Sequence, residues 1–256
     1  MIRNRRQQQI MNLLNENEIV NVVELSELLN CSTMTIRRDL EYLEQVGLAR
    51  RIHGGAVLIK SENNLPHFVE RLDKCQLEKE AIGKAALAYI EKDSVVCFDA
   101  GTTTMAIIEH IPEDFPLTII STGINTSSAL CRFRNIEVIQ VGGFVHHSSF
   151  TVCDSLATDF IKKFNSDVAF ISTRAINPNK GTYESTMSHV DEKQALASIS
   201  KKVIVLADHT KFEAMSLIQG LSLETIDIVI TDHQTSAIAI KQLRDAGVEV
   251  VVVKPG

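Results

Sequence analysis

The chain has 256 residues, of which 45% are apolar and 23% are charged, and this composition is typical of a folded globular protein and excludes a disordered or low-complexity chain. Residues 1–60 carry eight Lys and Arg against seven Asp and Glu, whereas the remainder carries 18 against 25, which gives a net charge of −6. Any contact with nucleic acid must therefore come from local basic clusters. These clusters are Arg3, Arg5 and Arg6; Arg37 and Arg38; Arg50 and Arg51.

No run approaches the roughly 18 apolar residues that a membrane span needs, and no apolar segment follows the charged N-terminus. The cysteines lie far apart, without a CxxC pair, so we expect a cytoplasmic protein with reduced thiols and no cofactor. Cys97 and Cys131 lie in apolar patterns and are expected to be buried. His146 and His147 lie near Cys153 but lack the spacing of metal ligands, so we expect solvated loop histidines and no metal.

The N-terminal segment has the pattern of a helix-turn-helix. Apolar residues at helical spacing predict a first helix over residues 3–16. Asn21 with Glu24 forms a capping pair that predicts the start of a second helix. A break of about four residues leads to a third helix, and two helices joined in this way fit a helix-turn-helix.

Ser32 is placed to cap the third helix, and Gly47 is placed to end it. Its apolar face consists of Ile36, Leu40 and Leu43. The following sequence LARRIHGGAVL predicts two short strands around Gly54 and Gly55, which is a hairpin of the winged type.

Polar residues cover the opposite face of the third helix and the predicted hairpin. The residues that we expect to contact DNA are Thr33, Met34, Thr35, Arg37, Arg38, Arg50, Arg51 and His53. Arginine can pair with guanine through two hydrogen bonds, and threonine can contact a phosphate or a thymine methyl group. A solvated helix face is the alternative for Arg37 and Arg38 alone, and the adjoining basic hairpin favours DNA contact.

Residues 59–78 are polar and lack sustained periodicity, so we interpret them as a linker between a DNA-binding domain over residues 1–58 and an α/β domain over residues 79–256. The predicted strands of the second domain span 95–98, 117–120, 136–141, 168–171, 203–206, 226–230 and 248–252. The predicted helices span 80–91, 103–111, 125–132, 154–163, 189–200 and 235–245. Continuous apolar strands that alternate with helices are typical of a parallel sheet covered by helices on both faces.

The segment from Asp99 to Thr104 follows the first of these strands and opens a helix. Backbone N–H groups at a helix N-terminus and three threonine hydroxyls can bind an anion, and Gly101 allows a ligand to approach the backbone. Ligands also bind at the carboxyl ends of strands in open α/β sheets. An ordinary strand-to-helix turn that is capped by threonines fits the same residues.

A second polar segment, Asp208-His209-Thr210-Lys211, follows the strand predicted over residues 203–206 and should reach the same edge of the sheet. Lys211 could neutralise a phosphate, and Asp208 could orient Lys211 or bind a hydroxyl. A solvated ion pair in a loop is the alternative.

These motifs resemble those of the DeoR family of bacterial transcription regulators. The match includes TIRRDL, the L-E-x-x-G-L step and R-x-H-G-G-A, and it continues through FDAGTTTMAI, VIQVGG, a G-T segment near residue 181 and VLADHTKF. The resemblance covers nearly the whole chain. It implies a winged helix-turn-helix followed by a sugar-phosphate-sensing domain related to phosphosugar isomerases, in a repressor that a phosphorylated metabolite releases.

The resemblance also implies which residues bind the effector, since the family's D-x-G-T-T motif lies at its ligand site and Lys193 resembles the lysine of the family's E-A-x-x-K motif. The effector residues that we expect are Asp99, Gly101, Thr102, Thr103, Thr104, Lys193, Asp208 and Lys211. At three positions this chain departs from the family's motifs, and these departures bear on the identity of the effector. His189 takes the place of the family's glutamate, Cys153-Asp154 that of a G-P pair, and Ala175 that of a glycine.

Two function classes fit this chain. The first is a repressor of a carbohydrate-utilisation operon, which binds operator DNA as a homo-oligomer, a dimer or a tetramer, and is released by a phosphorylated sugar. The second is a phosphosugar isomerase-like enzyme with an appended helical domain, for which Asp99, Asp208 and His189 are candidate general bases. We expect no catalytic residues, because no catalytic motif is recognisable and the helix-turn-helix favours a regulator. Only the anion site argues against a scaffold without a ligand.

Overall fold

The computed structural model of the protein describes residues 5–45, 48–58 and 68–256. Contacts group the described residues up to Arg71 into one compact unit and the residues from Leu72 onward into another. Among the described residues, no helix is both long and apolar enough to cross a membrane.

Up to Leu58, the described residues of the N-terminal unit form helices and a small antiparallel sheet. Its elements are α1 (Arg5–Asn17), β1 (Ile19–Asn21), α2 (Val22–Leu28), α3 (Thr33–Gln45), β2 (Ala49–Ile52) and β3 (Gly55–Leu58). The predicted helices and hairpin are confirmed, while the end of the third helix at Gly47 lies outside the described residues. The sequence did not predict β1, a three-residue strand that pairs with β3 and gives the strand order β1-β3-β2.

The predicted caps and apolar faces explain why these helices pack together. The side chain of Asn21 accepts a hydrogen bond from the N–H of Val23, and the hydroxyl of Ser32 accepts one from the N–H of Thr35. The apolar faces of the helices meet in a single core, and burial of each large aliphatic side chain contributes about 1.5–3 kcal/mol. The largest fully buried members of this core are Ile10, Met11, Leu14, Ile36, Leu40 and Leu43.

The segment 59–78, which we interpreted as a linker, is not irregular throughout. A short helix, α4 (Phe68–Asp73), lies within it, and the next helix already begins at Gln76. Phe68 is buried, and the guanidinium of Arg71 lies 5.6 Å from the centre of its ring. A helix of six residues with one buried aromatic side chain shows no repeating apolar pattern, so the sequence did not predict this helix.

The second unit alternates strands and helices. Its helices are α5 (Gln76–Ala86), α6 (Thr102–Met105), α7 (Ile124–Leu130), α8 (Ser155–Ile161), α9 (Met187–Ser198), α10 (Thr210–Glu213) and α11 (Ala237–Asp245), with 3-10 turns at Leu87–Tyr89, Ala106–His110 and Leu223–Thr225. Its strands are β4 (Val95–Phe98), β5 (Leu117–Ser121), β6 (Ile136–Gln140), β7 (Val145–His146), β8 (Thr151–Val152), β9 (Ser166–Ser172), β10 (Ala175–Asn177), β11 (Gly181–Glu184), β12 (Ser200–Leu206), β13 (Ile218–Gln219), β14 (Ile228–Asp232) and β15 (Glu249–Val253).

All seven predicted strands lie in one parallel sheet with the order β15-β14-β12-β9-β4-β5-β6, which confirms the predicted fold class. From β4 the chain adds β5 and β6 on one side and then returns to place β9 on the other side. The strand order therefore reverses between β4 and β9. In open sheets of this kind, the crevice at the carboxyl ends of the two strands at such a reversal is the usual ligand site.

The sheet is buried on both faces, which explains the continuous apolar runs in its strands. Along β9, Val168 and Phe170 belong to the core on one face, whereas Ala169 and Ile171 belong to the core on the other. Phe170 packs edge-on against Phe98 of β4, with ring centres 5.8 Å apart. Alternate residues of one strand thus anchor helices on opposite sides of the sheet.

Two smaller antiparallel pairings escaped the sequence analysis. One is the sheet β10-β11-β13, and the other is the hairpin β7-β8. Each of their strands has only two to four residues and mixes polar with apolar side chains. The first of them supplies a side chain to the crevice between β4 and β9, because Glu184 of β11 contacts Lys193.

Candidate functional site

The exposed face of α3 carries the residues that we expected to contact DNA. Thr33, Met34, Arg37 and Arg38 are exposed, and Thr35 is half-buried. The methionine is notable because 56% of this large apolar side chain is accessible to solvent. Among the described residues, neither arginine has an ion-pair or hydrogen-bond partner. This face therefore offers unpaired cations together with a hydroxyl-bearing first turn.

The hairpin presents a second basic surface in the same unit. Arg50, Arg51 and His53 are exposed on β2 and on the turn that follows it. The carboxylate of Glu44 accepts a hydrogen bond from the backbone N–H of Arg51 at 2.8 Å, which ties the hairpin to the end of α3. Gly54 completes the turn with a φ of +85°, a conformation that residues with a side chain rarely adopt.

Asp39 positions α3, although the sequence analysis assigned it no role. It is buried, and its carboxylate accepts hydrogen bonds from Arg6 Nε at 2.5 Å and from Gln7 Nε2 at 2.9 Å. The hydrogen bond from Arg6 raises the pKa of that guanidinium. Arg6, which the sequence placed in a basic cluster, is therefore a structural tie between α1 and α3. An acidic residue on the apolar side of an amphipathic helix was the available signal.

The crevice between β4 and β9 is organised around Asp99, which is 1% exposed. Its Oδ1 accepts hydrogen bonds from the N–H of Gly101 at 3.0 Å and from the hydroxyl of Thr104 at 2.5 Å. Its Oδ2 accepts bonds from the N–H and the hydroxyl of Ser172 at 2.9 and 2.7 Å. The carboxylate thus joins the loop after β4 to the end of β9.

Gly101 is required by this close approach of the two loops. A Cβ atom at this position would lie 1.9 Å from the hydroxyl oxygen of Ser172 and 2.4 Å from its Cβ. No side chain fits in that space, so any other residue would push the loop away from β9. The glycine serves the packing of the loop itself, in addition to any approach of a ligand.

Lys193, which projects from α9, is buried in the same crevice. Its Nζ lies 2.5 Å from Glu184 Oε1, 2.8 Å from the carbonyl oxygen of Ser172 and 3.6 Å from Asp99 Oδ2. Burial by itself lowers the pKa of Lys193, but Glu184 and Asp99 together raise it, so the ammonium remains charged. The amino group of Lys193 is therefore held by Glu184 and the carbonyl oxygen of Ser172, with Asp99 close by.

The hydroxyls of Thr102 and Thr103 are available for a ligand, whereas that of Thr104 is held by Asp99. Both threonines are largely buried at the start of α6, and their hydroxyls form no hydrogen bond to another described residue. Neither hydroxyl oxygen is among the buried side-chain atoms that lack a partner, so both keep some access to solvent. Accessible hydroxyls at the edge where the strand order reverses fit the binding of a polar ligand.

The segment after β12 reaches the same edge of the sheet, as the sequence predicted. Asp208 is buried, and its Oδ1 accepts hydrogen bonds from the N–H and the hydroxyl of Thr210. Its Oδ2 lies 3.8 Å from Nζ of Lys211, whose side chain is partly exposed. One strand, β9, separates β12 from β4, so the two loops follow strands that are roughly 10 Å apart.

Glu192, which the sequence did not single out, lies next to Lys193 and is completely buried. Thr122 donates a hydrogen bond to its Oε1 at 2.6 Å, and its Oε2 has no partner among the described residues. Burial raises the pKa of Glu192 to about 8, although the charge of Lys193 opposes this shift. Glu192 is therefore a neutral acid near pH 7. An acidic residue beside the motif lysine was the only sequence signal.

The histidines and cysteines differ in part from the expectations. His189 is buried, with its ring nitrogens 2.6 Å from Thr186 Oγ1 and 3.0 Å from Ser149 Oγ, and His146 packs edge-on against it. His147 is exposed, as expected, but His146 is half-buried, and burial lowers its pKa. Cys97 is buried as predicted.

The expectation that Cys131 is buried is wrong. This residue is exposed because it caps the end of α7, one position beyond the buried Leu130. The departures from the family motifs also have structural roles. Asp154 accepts a hydrogen bond from the N–H of Ala157 and caps α8, and Ala175 begins β10.

Known families match both units of the chain. The DeoR-like helix-turn-helix domain matches residues 6–62, and the DeoR C terminal sensor domain matches residues 74–233. Ribose 5 phosphate isomerase A from Neisseria gonorrhoeae is a structural neighbour with a TM-score of 0.39 and 18% identity. That overlap covers 54% of this chain and 53% of the isomerase chain.

Relatives match this chain over nearly its whole length. The HTH-type transcriptional regulator GolR from Listeria innocua is 34% identical over 249 residues, which cover 97% of this chain and 98% of that protein. The transcriptional repressor AccR from Agrobacterium fabrum is 31% identical over 234 residues, which cover 91% of each chain. Both family domains are thus present in the order that the sequence predicted, and the chain belongs to the DeoR family of DNA-binding transcription regulators.

Proposed function

We propose that this protein represses a carbohydrate-utilisation operon by binding operator DNA, and that a phosphorylated sugar releases it. The observation that carries the DNA-binding part is the set of exposed, unpaired guanidinium groups of Arg37, Arg38, Arg50 and Arg51. Unpaired cations on a helix and on an adjoining hairpin fit a helix in the major groove with a wing on the backbone.

Within this interface, α3 supplies the contacts to bases. Arg37 and Arg38 are placed on its exposed face to pair with guanine, and Thr33, Met34 and Thr35 are placed in its first turn to contact phosphates and thymine methyl groups. Arg50, Arg51 and His53 contact the sugar-phosphate backbone. Asp39 holds α3 in position without contacting DNA.

The crevice between β4 and β9 binds the effector. Its phosphate lies at the start of α6, against the hydroxyls of Thr102 and Thr103, and Lys211 supplies a balancing charge from the neighbouring loop. The backbone of Gly101 forms the wall of the site, and Asp208 orients Lys211. The strand spacing of roughly 10 Å between the two loops is one that a phosphorylated sugar can bridge.

Asp99, Thr104 and Lys193 act as positioning residues in this proposal. The carboxylate of Asp99 already accepts four hydrogen bonds from the protein, one of which comes from Thr104. Lys193 holds Glu184 and the carbonyl of Ser172. These residues fix the two loops at the distance that the effector recognises, rather than contacting a sugar hydroxyl as the sequence suggested.

The protein acts as a homo-oligomer in the cytoplasm in this proposal. One winged helix reads only a short half-site, so specific binding requires at least two copies on repeated or palindromic half-sites. The unit from Leu72 onward, which we call the sensor unit, exposes large apolar side chains that a second copy could cover. They include Phe144, Met215 and Leu217. Sedimentation that shows a monomer both free and on operator DNA would contradict this.

The competing proposal is an isomerase, and the site favours a binding protein. The candidate bases Asp99, Asp208 and His189 all accept or share hydrogen bonds within the protein. These contacts direct the groups toward the protein, whereas a general base lies within hydrogen-bond reach of the proton that it removes from the substrate. We therefore propose that the protein is not an enzyme. Turnover of ribose, fructose or glucosamine phosphates by the purified chain would overturn this.

Calorimetry tests the effector site directly. The full chain is titrated with a panel of sugar phosphates and with the corresponding sugars that lack the phosphate. We expect one phosphorylated member to bind and its unphosphorylated parent to bind at least tenfold more weakly. Binding that is unchanged in both Thr103→Ala and Lys211→Ala would show that the effector site lies elsewhere.

A further inference from the structure

Three residues with different metal-binding chemistry meet at the edge of the sensor unit. The thiol sulfur of Cys75, a carboxylate oxygen of Asp208 and a ring nitrogen of His209 lie within 4.8 Å of one another. Cys75 directly precedes α5, and the other two follow β12, so 132 residues of sequence lie between the thiol and the carboxylate. Within the described part of the chain, this is the one group of three such residues that could hold a metal ion.

The orientation of His209 is fixed by a buried carboxylate. Asp232 is completely buried, and both of its oxygens lie 3.0 Å from Nδ1 of His209. Asp232 also accepts hydrogen bonds from the backbone N–H groups of His209 and Gln234, at 2.7 and 2.9 Å. An ionised carboxylate only accepts, so Nδ1 carries the ring proton and the lone pair of the neutral imidazole is at Nε2. Histidines that bind metals are typically oriented in this way.

We propose that Cys75, Asp208 and His209 form a binding site for a divalent cation of the zinc class, with Asp232 as the positioning residue behind His209. Thiolate, imidazole and carboxylate together are a ligand set that zinc prefers and that magnesium and calcium do not. Three protein ligands leave a fourth tetrahedral position for water or for an oxygen of a bound molecule.

The charges and distances fit this assignment. A bound thiolate and carboxylate carry two negative charges, which balance a divalent cation, and the imidazole remains neutral. Ligand atoms around tetrahedral zinc lie roughly 3.3–3.7 Å apart, so separations of up to 4.8 Å in the structure need to close by at most about 1.5 Å. Nζ of Lys211 lies 3.8 Å from Oδ2 of Asp208, so this ammonium and a bound cation would face the same carboxylate.

Binding requires the loss of one proton. The Cys75 sulfur forms a bond to the cation, its S–H bond breaks, and the proton passes to solvent, with no oxidant or reductant involved. Metal affinity therefore falls as the pH is lowered. The cation site shares Asp208 with the proposed effector site and lies beside Lys211. Cation binding itself does not require a bound sugar.

The test uses Co²⁺ alone, added to the full-length, metal-free protein under a reductant that contains no thiol. A cobalt–thiolate bond gives a charge-transfer band in the near ultraviolet, and we expect this band to saturate at one equivalent. Cys75→Ser should abolish the band, whereas Cys131→Ser, which removes an exposed thiol elsewhere, should leave it unchanged. Asp232→Asn should weaken cobalt binding by roughly 10- to 100-fold while the band remains.

Thermal unfolding of each variant shows whether it is folded. If Cys75→Ser does not fold, His209→Ala serves as the second variant, with at least a tenfold loss of cobalt affinity expected. Absence of the band in the wild type would overturn the proposal. So would a band that survives in Cys75→Ser, or cobalt binding that is equally strong in His209→Ala.

Discussion

Asp99 and Ser172 are joined by two hydrogen bonds across the crevice where the order of the strands reverses. Oδ2 of Asp99 accepts one from the N–H of Ser172 at 2.9 Å and one from its hydroxyl at 2.7 Å. The second oxygen of the same carboxylate holds Gly101 and Thr104. Contacts within the protein therefore hold the loop that begins α6, and preorganisation of this kind lowers the entropic cost of binding a ligand.

The recognition surface can be tested by removing its guanidinium groups one at a time. Arg37→Ala or Arg38→Ala should weaken operator binding by about 1–3 kcal/mol if the residue pairs with a base, with a loss of sequence preference at that position. Arg50→Ala should weaken binding to all sequences alike and flatten the salt dependence. Fluorescence anisotropy on labelled operator DNA measures both effects.

Arg134→Ala is the matched control, because Arg134 is exposed on the sensor unit. Its operator affinity should equal that of the wild type. If all three of the recognition-surface variants also bind as tightly as the wild type while remaining folded, the DNA-contact assignment fails.

Asp39 should stabilise the N-terminal unit. Asp39→Asn removes the charge that pairs with Arg6 and leaves a weaker partner for Arg6 and Gln7, at a cost of about 1–3 kcal/mol in the free energy of unfolding. Denaturant unfolding measures the change, and operator affinity should fall with it because α3 loses its tie to α1. Glu41→Gln, an exposed change on the same helix, should leave the free energy of unfolding unchanged. Equal stability of D39N and the wild type would contradict this role.

Lys211 should separate effector response from DNA binding. Lys211→Ala removes the charge proposed to balance the effector's phosphate, and it lies in the sensor unit, so we expect operator affinity to be preserved and release by the effector to be lost. The measurement is operator binding at increasing effector concentration. Lys180→Ala, which removes an exposed lysine of the same unit, should respond like the wild type. A normal response in K211A would remove Lys211 from the site.

Glu192 should make stability depend on pH. Burial raises its pKa in the folded protein to about 8, from an ordinary value of 4.5. Between these values the folded protein holds a proton that the unfolded chain has lost, so this group contributes stability at low pH that is lost as the pH rises toward 8. Glu192→Gln keeps a neutral side chain at this position, so the fall in Tm between about pH 5.5 and about pH 8.5 should be smaller in the variant.

Glu224→Gln is the control for this experiment, because Glu224 is exposed and its replacement should leave the pH dependence of Tm unchanged. An identical pH dependence in E192Q and the wild type would show that Glu192 ionises normally in the folded protein.

The strands of the central sheet were predictable because they are buried on both faces, so that runs such as Val168–Ile171 are continuously apolar. The caps at Asn21 and Ser32 were predictable because they depend on neighbours within three residues. In contrast, β1 and β10 are too short to show a period, and their pairing depends on partners elsewhere in the chain.

The sequence placed the proposed effector residues at one edge of the sheet but did not predict their contacts within the protein. It named Asp99 and Lys193 as effector-binding residues and gave no sign of their hydrogen bonds to Ser172 and Glu184. Neither Ser172 nor Glu184 belongs to a motif, and the pairing of their strands places each of them in the crevice. The same reason hides the cluster around Cys75, since no spacing rule connects residue 75 with residues 208 and 209.

The most direct test of the central claim is release of the wild-type protein from operator DNA. Labelled DNA from upstream of its own coding region is bound by the protein, and each sugar phosphate of the panel is added in turn. We predict that one phosphorylated sugar lowers operator affinity at least tenfold, which requires about 1.4 kcal/mol of coupling between the two sites, and that its unphosphorylated parent does not. Operator affinity that stays constant for every member of the panel would contradict the account.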